Sequence, residues 1–285
     1  MSEGLAAALH ALLRAGERVA HVAVVEAHGS TPREAGAAML VTARHTLGTV
    51  GGGRLEWQAT ARARALLDAG EAGAALALPL GPAIGQCCGG AVTLAIRRAD
   101  ALVLAEVEAQ EQAARDALPL VLVFGAGHVG QALVRALAPL PFRVRWLDPR
   151  PLDTFGQVPD GVETVAEADC AAHAERAPAN SALVVLTHSH ALDSLVTAAA
   201  LARGDLAYVG LIGSHTKRRR FERAFREIGL APDRVARLVC PIGERAGIAD
   251  KRPAVIAALT AAELVETFAR RATRERRDRA GEQAA

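Results

Sequence analysis

Aromatic residues are scarce: six Phe, two Trp and one Tyr make up 3% of the 285 residues. That rules out a surface that stacks bases on interleaved rings. Lysine is scarcer still, since every basic residue except Lys217 and Lys251 is arginine. An excess of charge is also missing, with 33 basic residues against 31 acidic and a formal charge of +2. Arg270, Arg271, Arg274, Arg276, Arg277 and Arg279 crowd the last turns against Glu275, Asp278 and Glu282. The rest of the chain is therefore near neutral and offers no basic field for a phosphate backbone, so nucleic acid is not an expected partner. The arginine-rich tail reads as a solvated, partly frayed helix end. Cysteine is limited to Cys87, Cys88, Cys170 and Cys240, with no CxxC spacing. A dithiol redox motif or zinc ribbon is excluded, and a reduced, cytoplasmic setting is expected. No apolar run reaches membrane-spanning length, and the acidic start is unlike a signal peptide. A soluble protein with no membrane partner is expected.

What remains is enough for real cores: 51% of residues are hydrophobic and 22% charged, globular values at a length that suits two domains. Residues 1–117 read as a mixed α/β domain. Leu5, Ala8, Leu9, Leu12 and Leu13 give a helical stripe. Strands are expected at Arg18–Glu26, Ala38–Thr42, Leu47–Val50 and Ala91–Arg97, with helices at Arg54–Ala69 and Ala101–Ala117. Residues 118–270 alternate strands and helices. Strands fall at Leu120–Phe124, Arg143–Leu147, Leu183–Thr187 and Ala207–Ile212, and helical patterns follow the first, third and fourth, with a further helix opening at Pro253. Buried strands in repeated βα units imply a Rossmann-like, doubly wound parallel sheet. Residues 271–285 form the tail.

The most general motif is Gly125-Ala126-Gly127-His128-Val129-Gly130, which ends a strand and opens a helix. Gly125 would permit the tight turn, Gly127 the approach of a pyrophosphate and Gly130 close helix–strand packing. Asp148, ending the next strand, can accept from a ribose, and Arg150 leaves a 2′-phosphate open. A loop of this kind is also simply how the fold turns. His188 and His190, with Asp193, follow a strand at its carboxyl end, where a metal or proton-transfer role is open. His190 or Asp193 can equally be a helix cap. Gly210, Gly213 and Ser214 point to the same edge.

Three loops of the first domain carry less general patterns. Thr49 to Glu56 (TVGGGRLE) sets Gly51, Gly52 and Gly53 before a helix, so that backbone N–H groups and Arg54 would hold a phosphate. Gly29 to Glu34 (GSTPRE) offers Ser30, Arg33 and Glu34 on one constrained turn. Gln86 to Gly90 (QCCGG) sets two thiols on a glycine-rich loop. Cys87 can equally be a soft ligand suited to molybdenum or sulfur-transfer chemistry or a buried, inert thiol, whereas Cys88 reads more readily as the latter.

These stretches, together with Gly48–Glu56 (GTVGGGRLE), Thr187–Asp193 (THSHALD), Tyr208–Ser214 (YVGLIGS) and Cys240–Gly243 (CPIG), occur in order along nearly the whole chain. In this the sequence resembles the XdhC/CoxI-type accessory proteins of molybdenum hydroxylases. The resemblance implies a chaperone rather than an enzyme. It would hold the molybdenum cofactor (molybdopterin) while the terminal sulfido ligand is installed, and deliver it to apo xanthine dehydrogenase. The implied partners are a cysteine desulfurase and the molybdenum-binding subunit of the dehydrogenase, and a homodimer suits a two-domain carrier. Gly51–Arg54 and Arg33 would take the phosphate and pterin, with Ser30 and Glu56 nearby and Cys87 toward the metal. A cleft between two domains would shield a labile cofactor. After Cys240 the sequence departs from the family's Pro-Ile-Gly-Leu-Asp form, so no role for an acid is carried over there. The rival reading is an NAD(P)-dependent oxidoreductase built on Gly125–Gly130 and Asp148, with His188 or His190 as acid/base.

Overall fold

The leucine stripe near the start folds as helix α1 (Leu5–Arg14), which buries Leu9 fully. Strands β1 (Ala20–His28), β2 (Ala38–Val41) and β3 (Thr46–Gly48) follow, then helix α2 (Gly53–Ala69). Strands β4 (Gly73–Pro79) and β5 (Ala91–Arg98) and helix α3 (Ala101–Asp116) complete the first unit. In the computed structural model the chain divides into two units, Met1–Ala114 and Arg115–Ala285. It describes residues 4–80, 89–244, 248 and 250–283.

The first unit is an antiparallel sheet in the order β3-β2-β1-β5-β4. Side chains alternate across a strand, and β2 shows the consequence. Met39 and Val41 join Leu55, Ala59, Ala63 and Leu66 of α2 in one core, while Leu40 joins Leu9 of α1 and Val103 and Val107 of α3 in another. The sheet is thus covered on both faces. The sequence gives little sign of β4, since GAALALP is alanine-rich and of low strand propensity. It is held as an edge strand by its register with β5, Leu76 opposite Leu94.

The second unit starts with β6 (Leu120–Phe124), α4 (His128–Leu137), β7 (Arg143–Asp148) and β8 (Val162–Ala166). It continues with α5 (Cys170–Arg176), β9 (Ala182–Val185), α6 (His190–Arg203), β10 (Tyr208–Leu211) and α7 (His215–Glu227). Then come α8 (Pro232–Val235), β11 (Leu238–Val239) and α9 (Pro253–Gln283). All strand pairs are parallel and the order is β11-β10-β9-β6-β7-β8. The winding reverses between β6 and β9, the arrangement of a Rossmann fold. Phe124 and Leu122 face a core shared with α5, α6 and α7, and Val121 and Val123 face one shared with α4 and α9. Helix α9 runs on without a break to Gln283. No described helix is long and apolar enough to cross a membrane.

Candidate functional site

Two clusters of motif residues emerge, one in each unit. In the first, strand pairing brings three loops to the same end of the sheet. His28 at the end of β1 pairs with Ala91 at the start of β5, and Met39 beside the start of β2 pairs with Gly48. The contacts are close. A Cβ on Gly29 would lie 3.1 Å from Gly90 Cα, and one on Gly51 would lie 2.6 Å from Pro32 Cγ. Residues 29–36, 48–53 and 89–90 therefore share one surface. Ser30, Arg33, Gly53 and Arg54 are exposed there. Cys87 and Cys88 lie outside the described residues.

The three glycines bend as the sequence suggests, with φ +134° at Gly51, +79° at Gly52 and +61° at Gly53. Such angles suit glycine because it lacks a Cβ. The amides of Gly51 and Gly52, however, do not stand open. Glu56, in the first turn of α2, folds back over the loop. Its Oε1 accepts from Gly52 N at 2.9 Å, from Val50 N at 3.2 Å and from the Thr49 hydroxyl. Gly51 N donates to Thr49 Oγ1 at 3.2 Å. The anion cradle is thus filled by the chain's own carboxylate. Burial alone would raise the Glu56 carboxyl, but these hydrogen bonds outweigh it and hold it below the usual range. Its neighbour Trp57 is 67% exposed, three residues from Arg54 and so on the same helix face. A sequence reading misses it because exposure is not written in residue type.

The second cluster lies at the carboxyl ends of the parallel strands, the edge where such sheets bind ligands. Gly125 has φ +119°. Its N donates to Leu147 O at 2.8 Å and its carbonyl accepts from Trp146 Nε1 at 3.0 Å. A Cβ on Gly130 would clash with Gly125 O, whereas one on Gly127 would meet nothing within 4 Å. Gly125 and Gly130 thus serve packing, and Gly127 leaves an open face at the start of α4.

Asp148 is fully buried. It accepts from Ala126 N at 2.7 Å and Arg150 N at 3.0 Å, and from the Arg150 guanidinium at 2.7 and 2.8 Å. Burial pushes its carboxyl up, and the Arg150 and backbone hydrogen bonds pull it below the usual range.

His188 and His190 are both exposed. Neither His190 nor Asp193 caps α6. Ser189 does, accepting from Leu192 N at 3.3 Å. Asp193 is instead 1% exposed and accepts from Thr187 N at 3.0 Å, Thr187 Oγ1 at 2.8 Å and Lys217 Nζ at 2.7 Å. Lys217 also donates to Ile212 O at 2.9 Å. This ion pair ties the start of α6 to α7, and the sequence hides it because its partners are 24 residues apart. Cys170 and Cys240 are buried, and burial above all pushes each thiol up to about 11, so neither is a thiolate at neutral pH. Among the described residues no group of His, Cys, Asp and Glu could hold a metal ion.

Comparison with known proteins follows this division. The family model for the XdhC Rossmann domain matches residues 121–264, and that for the XdhC and CoxI family matches residues 12–78. The uncharacterized protein YqeB of Escherichia coli (strain K12) is 28% identical over 257 residues, covering 85% of this chain and 42% of YqeB. The chain thus spans less than half the length of that relative. A crystal structure from Bacillus halodurans, described as a xanthine dehydrogenase, shares the fold. Its TM-score is 0.68 at 17% identity, over 94% of this chain and 97% of that one. The chain belongs to the XdhC and CoxI family, with an XdhC Rossmann domain as its second unit.

Proposed function

We propose that this protein is a maturation factor for a molybdenum hydroxylase of the xanthine dehydrogenase type, which receives the molybdenum cofactor, keeps it while it is sulfurated and passes it to the apoenzyme. Family membership supports the accessory role, and the Bacillus halodurans neighbour described as a xanthine dehydrogenase agrees with it. The observation that carries the cofactor reading is the meeting of three loops at one end of the first unit's sheet.

When bound, the cofactor supplies a dithiolene-held metal and a phosphate. The phosphate would be met by Arg33 and Arg54, which bring positive charge to that surface, and by the Ser30 hydroxyl. The amides of Val50 and Gly52 are engaged by Glu56, so the guanidinium groups carry more of this role than the glycine cradle does. Arginine suits it, because its planar fork matches a phosphate with two parallel hydrogen bonds. Cys87 would approach the metal or its sulfur. A cysteine desulfurase would provide the sulfur, and the molybdenum-binding subunit would be the recipient. A homodimer is part of the same reading.

The test is purification from cells with intact cofactor synthesis, followed by molybdenum and pterin analysis and transfer to the apo-dehydrogenase. Stoichiometric molybdopterin, at least tenfold less of it in an Arg33→Ala/Arg54→Ala variant, and activation of the recipient are expected. Protein free of molybdopterin would sink the proposal. A Cys87→Ala variant with full binding and full activation would remove the thiol's part alone.

A further inference from the structure

We infer that the Rossmann-like unit is shut to a nicotinamide dinucleotide that presents a free ribose diol, because the acid that would hold the diol is sealed beneath Arg150 and works as a clasp. A ribose diol brings two O–H donors and needs acceptor capacity that faces the crevice. A carboxylate has about four lone-pair positions on its two oxygens. On Asp148 all four are taken. Oδ1 accepts from Arg150 N and Nε, and Oδ2 accepts from Ala126 N and Arg150 Nη2. The Asp148 side chain has no exposed surface, while that of Arg150 is 42% exposed. What meets an arriving ligand is therefore a guanidinium, a group with donors only.

The clasp also has a task of its own. Through Ala126 N it fixes the turn between β6 and α4, 22 residues away in sequence. Trp146, two residues earlier on β7, holds the same turn through Gly125 O. The glycine pattern is thus kept by the packing of α4 on the sheet, independent of any dinucleotide. This inference stands apart from cofactor binding in the first unit.

Isothermal titration of the full chain with NADH and NADPH tests it. No saturable NADH binding below millimolar concentration is expected. Arg150→Ala, checked by circular dichroism for an intact fold, should gain at least tenfold in NADH affinity, because it frees two acceptor positions on Asp148. Asp148→Asn should lower the melting temperature by several degrees and leave NADH affinity unchanged, as suits a structural clasp. NADPH bound at least tenfold more tightly than NADH, with the preference lost in Arg150→Ala, also agrees, since the guanidinium would then take the 2′-phosphate. Micromolar NADH binding by the unaltered chain, or no gain in NADH affinity in Arg150→Ala, overturns the inference.

Discussion

At the scale of single residues, three acidic side chains decide what the candidate sites can do. Glu56, Asp148 and Asp193 each sit beside a motif loop, and each is drawn into bonds with backbone amides. Glu56 is the plainest case. Removing an acceptor that leaves part-buried donors without partners costs about 1–3 kcal/mol. Glu56→Ala should therefore lower the unfolding free energy by about that amount, measured by urea denaturation. The pH dependence follows from its depressed carboxyl. An acid with a lower pKa folded than unfolded contributes stability above the unfolded value, about 4.3 for Glu, and loses it as pH falls through the folded value. The difference between wild type and Glu56→Ala should be full at pH 7 and close as the pH drops below about 4. A gap that stays constant to pH 3 would mean that the charge of Glu56 contributes nothing.

At the scale of elements, the glycine pattern separates packing from openness. Helix α4 approaches the turn after β6 so closely that a methyl on Gly130 has no room, while Gly127 caps the same helix with extended backbone angles and free space. Gly130→Ala should cost at least about 2 kcal/mol through displacement of α4, and Gly127→Ala should stay within about 0.5 kcal/mol of wild type. Equal effects in thermal melts would contradict this division. The Asp193–Lys217 pair, which links the starts of α6 and α7, behaves differently. It is almost wholly buried, and removing one partner of such a pair leaves the other charge uncompensated, at about 3–5 kcal/mol. Lys217→Met should show that loss. Adding Asp193→Leu should restore part of it, because a buried pair replaced as a whole by apolar groups is often close to neutral. A double variant as unstable as the sum of both singles would argue against the pair.

At the scale of the whole molecule, each unit carries its own cores. Those of the second unit are built from residues 120–264 with Phe268 packed alongside, and those of the first from residues up to Val107. A fragment of residues 115–285 should therefore fold alone with a cooperative thermal transition by circular dichroism. A broad, non-cooperative melt would show that the second unit depends on the first. In the second unit the repeated βα pattern was legible because strands such as β6 and β9 are continuous apolar runs flanked by helical stripes. The short or weakly apolar elements β8, β11, α5 and α8 escaped, since so few residues carry no readable period. In the first unit, β4 escaped because pairing with β5, and no propensity of its own, makes it a strand.

The sequence by itself determined the local chemistry: two domains, where most strands and helices run, which glycines bend, and the family to which the motifs belong. These follow from periodicity and backbone sterics, which act over a few residues. Only the tertiary structure decided which polar groups are engaged. Arg150 stands two residues from Asp148, yet it became a seal because packing buried that carboxylate against the amide of Ala126. Glu56 became the occupant of the glycine cradle because α2 starts where its first turn can reach back. The competition for a buried hydrogen bond is settled by proximity in space, and composition and spacing do not encode the winner.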